Sequence, residues 1–465
     1  MVPCPARPPP VSWPGPSQAD RMWLLPALSL ISNAAARVFY RFSVEGARVP
    51  AEGPVLLVAN HPNSLFDPVL VAAAAGRPVR FLAKSTLFAD PKVGWLMRSG
   101  GAIPVYRRQD APGEMERNED TFRAVFDELA RGAAVGIFPE GISHSEPALA
   151  ELRTGAARIA LGSAAATGTA PVIVPVGMVP EDKARFRSRM RAVVGAPVEW
   201  GDLASRGPGD REAVRVLTQR IRDALRRVTL NLEAWEDRPL VEGVEEIWRA
   251  TRAPGERRPS VDRLGLTTQV LADLRRVPDS SWHALVREVR GHLRRLGVLG
   301  LRPRDLRADA GGRRGLRRGL GRIYLVGLPM VAAAVLGWLS FYPPYRVTAW
   351  IVRRADPDLD RQSTYKLLLG IPIYGAWLAL VAGGAGAAAA AAVGLPLLGL
   401  VGLWVREGWR GAWRDARRFV LLRSRGDLVA ELAARQQVLA DRLAELHAAW
   451  GEGRLSDEPR EHGPG

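Results

Sequence analysis

The sequence has a single cysteine, Cys4, among its 465 residues. One thiol excludes an intrachain disulfide and a metal site built from several cysteines, and it suits a reducing, cytoplasmic setting. Around His144, no carboxylate or cysteine pattern supports a metal site. Neither a metal nor another cofactor is therefore expected.

Lysine is also scarce, although the formal net charge is +17. The charge comes mainly from arginine, and the arginines flank apolar segments instead of clustering with aromatic residues in one module. This distribution favours the headgroups of an anionic membrane as the acidic partner, and no nucleic acid is expected. The chain has four lysines: Lys84, Lys92, Lys183 and Lys366.

Hydrophobic residues make up 47% of the chain, enough for a full-sized core. Between residues 43 and 200, short β-rich runs alternate with helix-like runs. The alternation predicts an α/β fold with a mixed, mostly parallel sheet and helices on both faces. The predicted strands are 55–59, 79–83, 134–138 and 172–176, and the predicted helices are 68–75, 119–131 and 153–166.

A short polar stretch, residues 60–68, directly follows the apolar strand 55–59. It places His61 where a buried strand gives way to a turn. An imidazole has a reference pKa of about 6.5, so it can accept a proton near neutrality, and a nearby carboxylate such as Asp67 can fix its tautomer. Alternatively, His61 ends the loop and Asp67 caps the next helix. The spacing alone leaves both interpretations open.

Three further blocks follow in order: residues 101–108 (Gly-Ala-Ile-Pro-Val-Tyr-Arg-Arg), 138–141 (Phe-Pro-Glu-Gly) and 174–176 (Val-Pro-Val). Together with 61–67, they resemble the four blocks of the glycerophosphate acyltransferase superfamily. Members of this superfamily move a fatty acyl group from coenzyme A or acyl carrier protein to a glycerolipid hydroxyl. The resemblance covers roughly residues 40–230, and each block falls at a predicted strand end, where α/β sheets bind ligands.

The resemblance implies a role for each matching residue. His61 is the expected base, and Asp67 is expected to orient it. Arg107, helped by Arg108 or Lys84, is expected to bind the acceptor phosphate. The remaining expected substrate-binding residues are Asn63, Glu140, Gly141 and Pro175.

Two departures from the usual pattern indicate a branch of the superfamily. Five residues separate His61 from Asp67, where four are usual, and the third block continues Ile-Ser-His-Ser over 142–145 instead of Thr-Arg-Ser. Both features, with Asn63, resemble the branch that acylates glycerol 3-phosphate or dihydroxyacetone phosphate.

The composition of the rest of the chain predicts its division into tails, domains and a membrane region. Residues 1–20 and 451–465 are predicted to be disordered tails. Residues 21–42 are predicted to form a helix in the membrane interface, with burial against the next domain as the alternative. The acyltransferase domain is expected over 43–230, a helical subdomain over 231–310 and a membrane region over 311–405.

The membrane region contains two apolar stretches, 323–342 and 367–404. Arginines precede, separate and follow them. If basic flanks stay cytoplasmic, each stretch returns to the side it left. This predicts a re-entrant or single segment at 323–342, turning near Pro329 or Pro343-Pro344, then a helical hairpin at 367–404. Three ordinary spans are the competing topology. The catalytic domain is expected on the cytoplasmic face.

A heptad pattern of apolar residues covers 424–450. It predicts either a short coiled coil that forms a homodimer through 428–450 or a lone amphipathic helix.

The sequence thus predicts a membrane-bound acyltransferase of phospholipid biosynthesis. Its donor would be acyl-CoA or acyl carrier protein, and its acceptor glycerol 3-phosphate or dihydroxyacetone phosphate. One alternative keeps the chemistry but uses 1-acylglycerol 3-phosphate, a lysophospholipid, as acceptor. The other is a non-catalytic membrane lipid-binding scaffold, which would have no need of a base at position 61.

Overall fold

The structure is a computed structural model, and its described residues group into two compact units. Residues up to Asn231 make up the first unit, and most of the chain from Leu232 onward makes up the second. The predicted tail 1–20 lies outside the described residues, as does the tail 451–465 beyond residue 453. The described ranges are 25–89, 94–106, 118–253, 261–278, 280–306, 328–355, 362–384 and 388–453.

The first unit contains a seven-stranded sheet in the order β1-β7-β6-β2-β5-β3-β4. All neighbouring strands are parallel except β6 and β7, which are antiparallel. The predicted mixed, mostly parallel sheet is therefore confirmed. The strands are β1 (Arg41–Gly46), β2 (Val55–Ala59), β3 (Val79–Lys84), β4 (Ile103–Val105), β5 (Ala134–Ile137), β6 (Val172–Pro180) and β7 (Arg189–Val194).

Seven helices accompany this sheet within the described residues. For a helix that connects two parallel strands, the direction of the crossover determines the face of the sheet on which the helix lies, because such a unit is right-handed. The chain moves from β2 to β3 in one direction, and from β4 to β5 and β5 to β6 in the other, so the connecting helices lie on opposite faces. The helices are α1 (Leu25–Phe39), α2 (Phe66–Ala75), α3 (Thr86–Ala89), α4 (Gly94–Ser99), α5 (Asn118–Ala130), α6 (Gly155–Thr167) and α7 (Arg211–Val228).

Strand β2 is the centre of the unit. All five of its side chains are buried, and it pairs with β5 on one side and β6 on the other. An uninterrupted apolar run is what a strand covered on both faces requires. The loop that follows β2 therefore emerges at the middle of the sheet edge.

Three strands were not predicted from the sequence: β1, β4 and β7. Strand β1 has partly exposed side chains and lies at the sheet edge, and β4 has only three residues. Neither offers the apolar run that identified the central strands. The helix predicted over 21–42 ends at Phe39, because Arg41 already pairs with Arg189 of β7.

In the second unit, four helices bury a common apolar cluster. They are α8 (Arg238–Thr251), α9 (Val261–Arg275), α10 (Trp282–Leu299) and α14 (Gly426–Gly451). Helix α14 contributes Leu439, Leu443 and Leu446 to this cluster, and Gln436 donates a hydrogen bond of 3.1 Å to the Pro303 carbonyl. The leucine stripe is thus covered within one chain. This burial favours the amphipathic-helix alternative, and the homodimer through 428–450 stays a prediction.

Three apolar helices lie between α10 and α14 in the chain: α11 (Leu328–Ala355), α12 (Gln362–Gly384) and α13 (Ala388–Ser424). The start of the predicted segment 323–342 falls outside the described residues. The turn predicted near Pro343-Pro344 is wrong, because α11 continues through both prolines. Pro344 has no N–H to donate to the Ser340 carbonyl, which lies one turn earlier in the helix. The indole N–H of Trp377 donates to the Ser340 carbonyl instead, at 2.7 Å.

One of the described helices, over Thr364–Val381, is long and apolar enough to cross a membrane by length and composition. Helix α13 extends twenty residues past the predicted hairpin end at 404, into an arginine-rich stretch. Several large apolar side chains on these helices are exposed, among them Trp338, Trp350, Trp404 and Trp413.

Candidate active site

The loop between β2 and α2 brings His61 and Asp67 together. His61 Nδ1 lies 2.8 Å from Asp67 Oδ2. Ser64 adopts a φ of 50°, and this turn brings the first residues of α2 back toward the strand end. The five-residue gap is therefore compatible with a direct hydrogen bond between the two side chains.

Asp67 is fully buried and faces the loop that precedes its helix. Its Oδ2 also accepts the main-chain N–H of Asn63 at 2.7 Å. Burial raises the pKa of the Asp67 carboxyl, while the hydrogen bond to His61 and the charges of His61 and Lys183 act in the opposite direction. Helix α2 has Leu65 at its N-cap position, with no side-chain cap. Asp67 therefore serves the histidine and its loop, and the helix-capping alternative does not hold.

The His61 ring is held on two sides and remains accessible. It stacks on Phe138, with ring centroids 4.2 Å apart and an interplanar angle of 13°. Its side chain is 20% exposed. A carboxylate at Nδ1 fixes the proton there, so the lone pair of the neutral ring is on Nε2. This is the arrangement a general base needs.

Glu140, from the third block, holds the main chain of the same loop. Its Oε1 accepts the His61 N–H at 2.7 Å, and its Oε2 accepts the Ala150 N–H at 2.9 Å and a bond from His144 Nε2. The residue is 2% exposed. Because both oxygens are buried and engaged by protein donors, the geometry favours a role in holding the loop. Contact between Glu140 and the acceptor stays a prediction.

The unusual continuation of the third block has a structural explanation. His144 Nε2 bonds Glu140 Oε2, and Ser143 Oγ accepts the Ser64 N–H at 3.0 Å. The hydrogen bond to Glu140 raises the pKa of the His144 imidazole, and partial burial opposes this. Sequence reasoning missed this pair, although a spacing of four residues between Glu140 and His144 was visible.

Two other predicted residues lie inside the protein. Asn63 is fully buried and its Nδ2 donates to the Tyr40 hydroxyl at 2.7 Å. Pro175 is buried inside β6, in register with Val58, and is not at a strand end as predicted. Buried side chains packed in this way cannot meet a substrate without being displaced. This burial favours structural roles for both residues, and a substrate contact at Asn63 or Pro175 stays a prediction.

Gly141 ends the third block in a left-handed conformation, with a φ of 72°. Its N–H donates to the Phe138 carbonyl at 3.0 Å, which closes a tight turn. A residue with a Cβ would be strained there, so the turn explains the glycine without a ligand.

The candidate phosphate-binding residues are described in part. Lys84 is half-buried at the end of β3, in register with Val105 of β4. Arg107 and Arg108 lie outside the described residues. Lys84 is thus placed beside the strand that leads into the two arginines. Among the described residues, no group of three or more histidine, cysteine, aspartate or glutamate side chains is placed to hold a metal ion.

The first unit is similar to known acyltransferases. Residues 41–179 match the family model described as Acyltransferase. This part of the chain is an acyltransferase domain of the glycerophosphate acyltransferase superfamily. The match spans all four sequence blocks, so the predicted family is confirmed for this domain.

The acyltransferase domain has curated relatives with two kinds of name. "Glycerol-3-phosphate O-acyltransferase 2" of Saccharomyces cerevisiae is 34% identical over 29% of this chain and 19% of its own length. "1-acyl-sn-glycerol-3-phosphate acyltransferase LPAT1, chloroplastic" of Arabidopsis thaliana is 29% identical over 30% of this chain and 36% of its own length. The chain thus spans well under half of either relative.

A bacterial relative is matched over more of its length. The 1-acyl-sn-glycerol-3-phosphate acyltransferase of Bacillus subtilis is 26% identical over 38% of this chain and 83% of its own length. A solved structure, the lysophosphatidic acid acyltransferase PlsC of Thermotoga maritima, aligns with a TM-score of 0.33 and 22% identity over 46% of this chain and 81% of that one.

Proposed function

We propose that this chain transfers a fatty acyl group from an acyl thioester to the hydroxyl of glycerol 3-phosphate or dihydroxyacetone phosphate. The observation that carries the proposal is the 2.8 Å contact between His61 Nδ1 and Asp67, which leaves Nε2 as the basic nitrogen. A non-catalytic scaffold would have no need of this arrangement.

The reaction proceeds by direct attack, without a covalent enzyme intermediate. His61 Nε2 takes the proton from the acceptor hydroxyl as its oxygen attacks the thioester carbonyl, and Asp67 stabilises the imidazolium that forms. Collapse of the tetrahedral intermediate breaks the carbon-sulfur bond. The proton on Nε2 then passes to the departing thiolate, so the base is regenerated.

A thiol-release assay separates an enzyme from a scaffold. Purified protein is offered acyl-CoA with each acceptor, and His61→Ala is compared with parent protein. Removing a general base is expected to lower the rate roughly 10²- to 10⁴-fold. His283→Ala is the matched control, since His283 is a partly buried histidine of the second unit. Equal thiol release by His61→Ala and parent would end the catalytic proposal.

Two classes of acceptor are compatible with this reaction. The names of the Arabidopsis and Bacillus relatives support 1-acylglycerol 3-phosphate as an alternative acceptor. The longer gap between His61 and Asp67 and the 142–145 sequence favour the glycerol 3-phosphate or dihydroxyacetone phosphate branch. Assays with these three acceptors, each with acyl-CoA and with acyl carrier protein as donor, rank both substrates. A higher kcat/KM for 1-acylglycerol 3-phosphate would favour the alternative.

Arg107 is proposed to bind the phosphate of the acceptor. A guanidinium can bind phosphate through charge-assisted hydrogen bonds, and one such bond contributes roughly 1.5–3 kcal/mol. Arg107→Ala is therefore expected to raise the KM for glycerol 3-phosphate about 10- to 100-fold and to leave the KM for the donor nearly unchanged. Arg108→Ala tests the neighbouring arginine in the same way.

We also propose that the chain associates with an anionic membrane, with the catalytic domain on the cytoplasmic face. The apolar helices support the association. Helix α12 contains the candidate span, and exposed tryptophans on α11 and α13 suit a membrane interface. Reporters fused after Lys366 and after Arg423 test the topology. External signal at either position would favour three ordinary spans over the hairpin.

A further inference from the structure

Lys183 lies just beyond β6 and outside the segment that matches the family model. Its ammonium group nevertheless reaches the active-site loops. Nζ donates to the Pro62 carbonyl at 2.8 Å and to Ser145 Oγ at 2.7 Å, and lies 3.4 Å from the His144 carbonyl. The side chain therefore joins the residue after His61 to the loop that follows Glu140.

The main chain of Lys183 reaches the same place by a second route. Its carbonyl accepts the Tyr40 hydroxyl at 2.5 Å, and that hydroxyl accepts the Asn63 amide at 2.7 Å. Both ends of this one residue are thus tied to consecutive residues of the His61 loop. Ammonium-carbonyl bonds are charge-assisted, and Lys183 also adds a positive charge that favours the carboxylate form of Asp67.

We propose that Lys183 is a positioning residue of the acyl transfer reaction: it fixes the main chain beside His61 against the Ser145 loop. The base needs this support because it belongs to a loop, where a displacement of about 1 Å can cost on the order of 100-fold in rate. The kinetic part of this inference rests on the proposed function.

Hydrogen-deuterium exchange measures the positioning without any assay of activity. The amides of His61, Asn63 and Ser64 each donate to a side chain of the site, at 2.7, 2.7 and 3.0 Å. Lys183→Met should accelerate their exchange about tenfold or more, because it removes a charge-assisted bond at Pro62. Arg185→Met is the matched control: Arg185 is an exposed cation two residues away and should leave this exchange unchanged.

Steady-state kinetics measure the consequence. Lys183→Met should lower kcat about 10- to 100-fold and leave both KM values within about twofold, since the residue acts through His61 and not on a substrate. Lys183→Arg, which keeps a cationic donor, should recover part of the kcat. Ser145→Ala, a smaller change that removes one acceptor, should accelerate exchange at the same three amides to a lesser extent.

The outcomes separate this inference from the proposed function. Parental exchange at His61, Asn63 and Ser64 in folded Lys183→Met overturns the positioning role, whether or not acyl transfer is found. If Lys183→Met does not fold, parental exchange in Ser145→Ala overturns it. A parent protein that releases no thiol overturns the proposed function instead, and accelerated exchange in the variants would still establish the loop contact.

Discussion

Glu140 Oε1 accepts the main-chain N–H of His61 at 2.7 Å, so a residue 79 positions away in the chain fixes the backbone of the proposed base. The same carboxylate binds His144 and the Ala150 N–H through Oε2. Glu140 thereby connects the loop after β2 to the loop after β5, which are neighbouring strands of the sheet. A residue of the third block therefore holds the main chain of the first block by a direct hydrogen bond.

Glu140→Gln is expected to disturb this connection while keeping the side-chain shape. The amide NH₂ of glutamine is itself a donor, so it would face at least one of the groups that now donate a hydrogen bond to the carboxylate. Leaving a buried donor unsatisfied costs roughly 1–3 kcal/mol, which chemical unfolding can measure, and we expect kcat to fall about 10-fold or more. Glu151→Gln, at an exposed position, is the control. Unchanged stability and kcat in Glu140→Gln would contradict this account.

Asp67→Asn tests the orientation of the His61 ring. The asparagine amide can donate to Nδ1, which would move the ring proton to Nε2 and remove the basic lone pair from the substrate side. It also removes the charge that stabilises the imidazolium. We expect kcat to fall about 10²- to 10⁴-fold with little change in KM. Asp127→Asn, on the exposed side of α5, should keep parental rates. A parental kcat in Asp67→Asn would exclude the orienting role.

His144 should make the stability of the protein depend on pH. Its pKa is raised by the bond to Glu140, with Lys183 opposing and Glu146 adding to the shift. A raised pKa in the folded state means that the ion pair stabilises fully below the unfolded pKa of about 6.5, and that this contribution disappears as the pH rises through the folded pKa.

We therefore expect the unfolding free energies of the parent and of His144→Asn to differ most at low pH, when both are measured from about pH 5 to about pH 9. The same substitution made in Glu140→Gln should show little pH dependence, because the partner carboxylate is gone. A difference between parent and His144→Asn that is constant across this range would rule out the ion pair as a stabilising contact.

Gly177 tests the packing of α7 against the sheet. A Cβ at this position would lie 1.9 Å from the Val228 carbonyl oxygen, so the end of α7 would have to move away from β6. Gly177→Ala is expected to destabilise the protein by roughly 1–3 kcal/mol, measured by denaturant unfolding. Gly201→Ala, where the structure places nothing within 4 Å of the new Cβ, should be near neutral. Equal stabilities would mean that the contact is looser than described.

The sequence predicted the fold best where an uninterrupted apolar run requires a strand that is buried on both faces. An apolar strand followed by His61 and Asp67 predicted both a buried strand and the proposed base, because a side chain at the end of a parallel strand faces the ligand edge. Strand β1, at the edge of the sheet, and its neighbour β7 have mixed polarity and gave no such pattern. The contacts of Glu140, His144 and Lys183 depend on which loops meet in space, and no local pattern specifies that.

Two predictions rested on a local pattern that has more than one possible partner. The heptad leucines of α14 pack in the cluster with α8, α9 and α10, whereas the same stripe would equally suit a second copy of the chain. The prolines at 343 and 344 normally interrupt a helix, but the indole N–H of Trp377 supplies the donor that the Ser340 carbonyl would otherwise lack. In both cases the deciding partner is distant in the chain.

The position of α14 in the chain has a consequence for synthesis. Helices α8 to α10 leave the ribosome before α14, which completes their shared cluster. Roughly 130 residues separate α10 from α14, so at about 5–20 residues per second the three helices wait on the order of ten seconds for their last partner. Until then, an apolar groove remains open on the nascent chain. Premature termination before α14 would leave this groove permanently uncovered, which makes such fragments targets for chaperones and proteases.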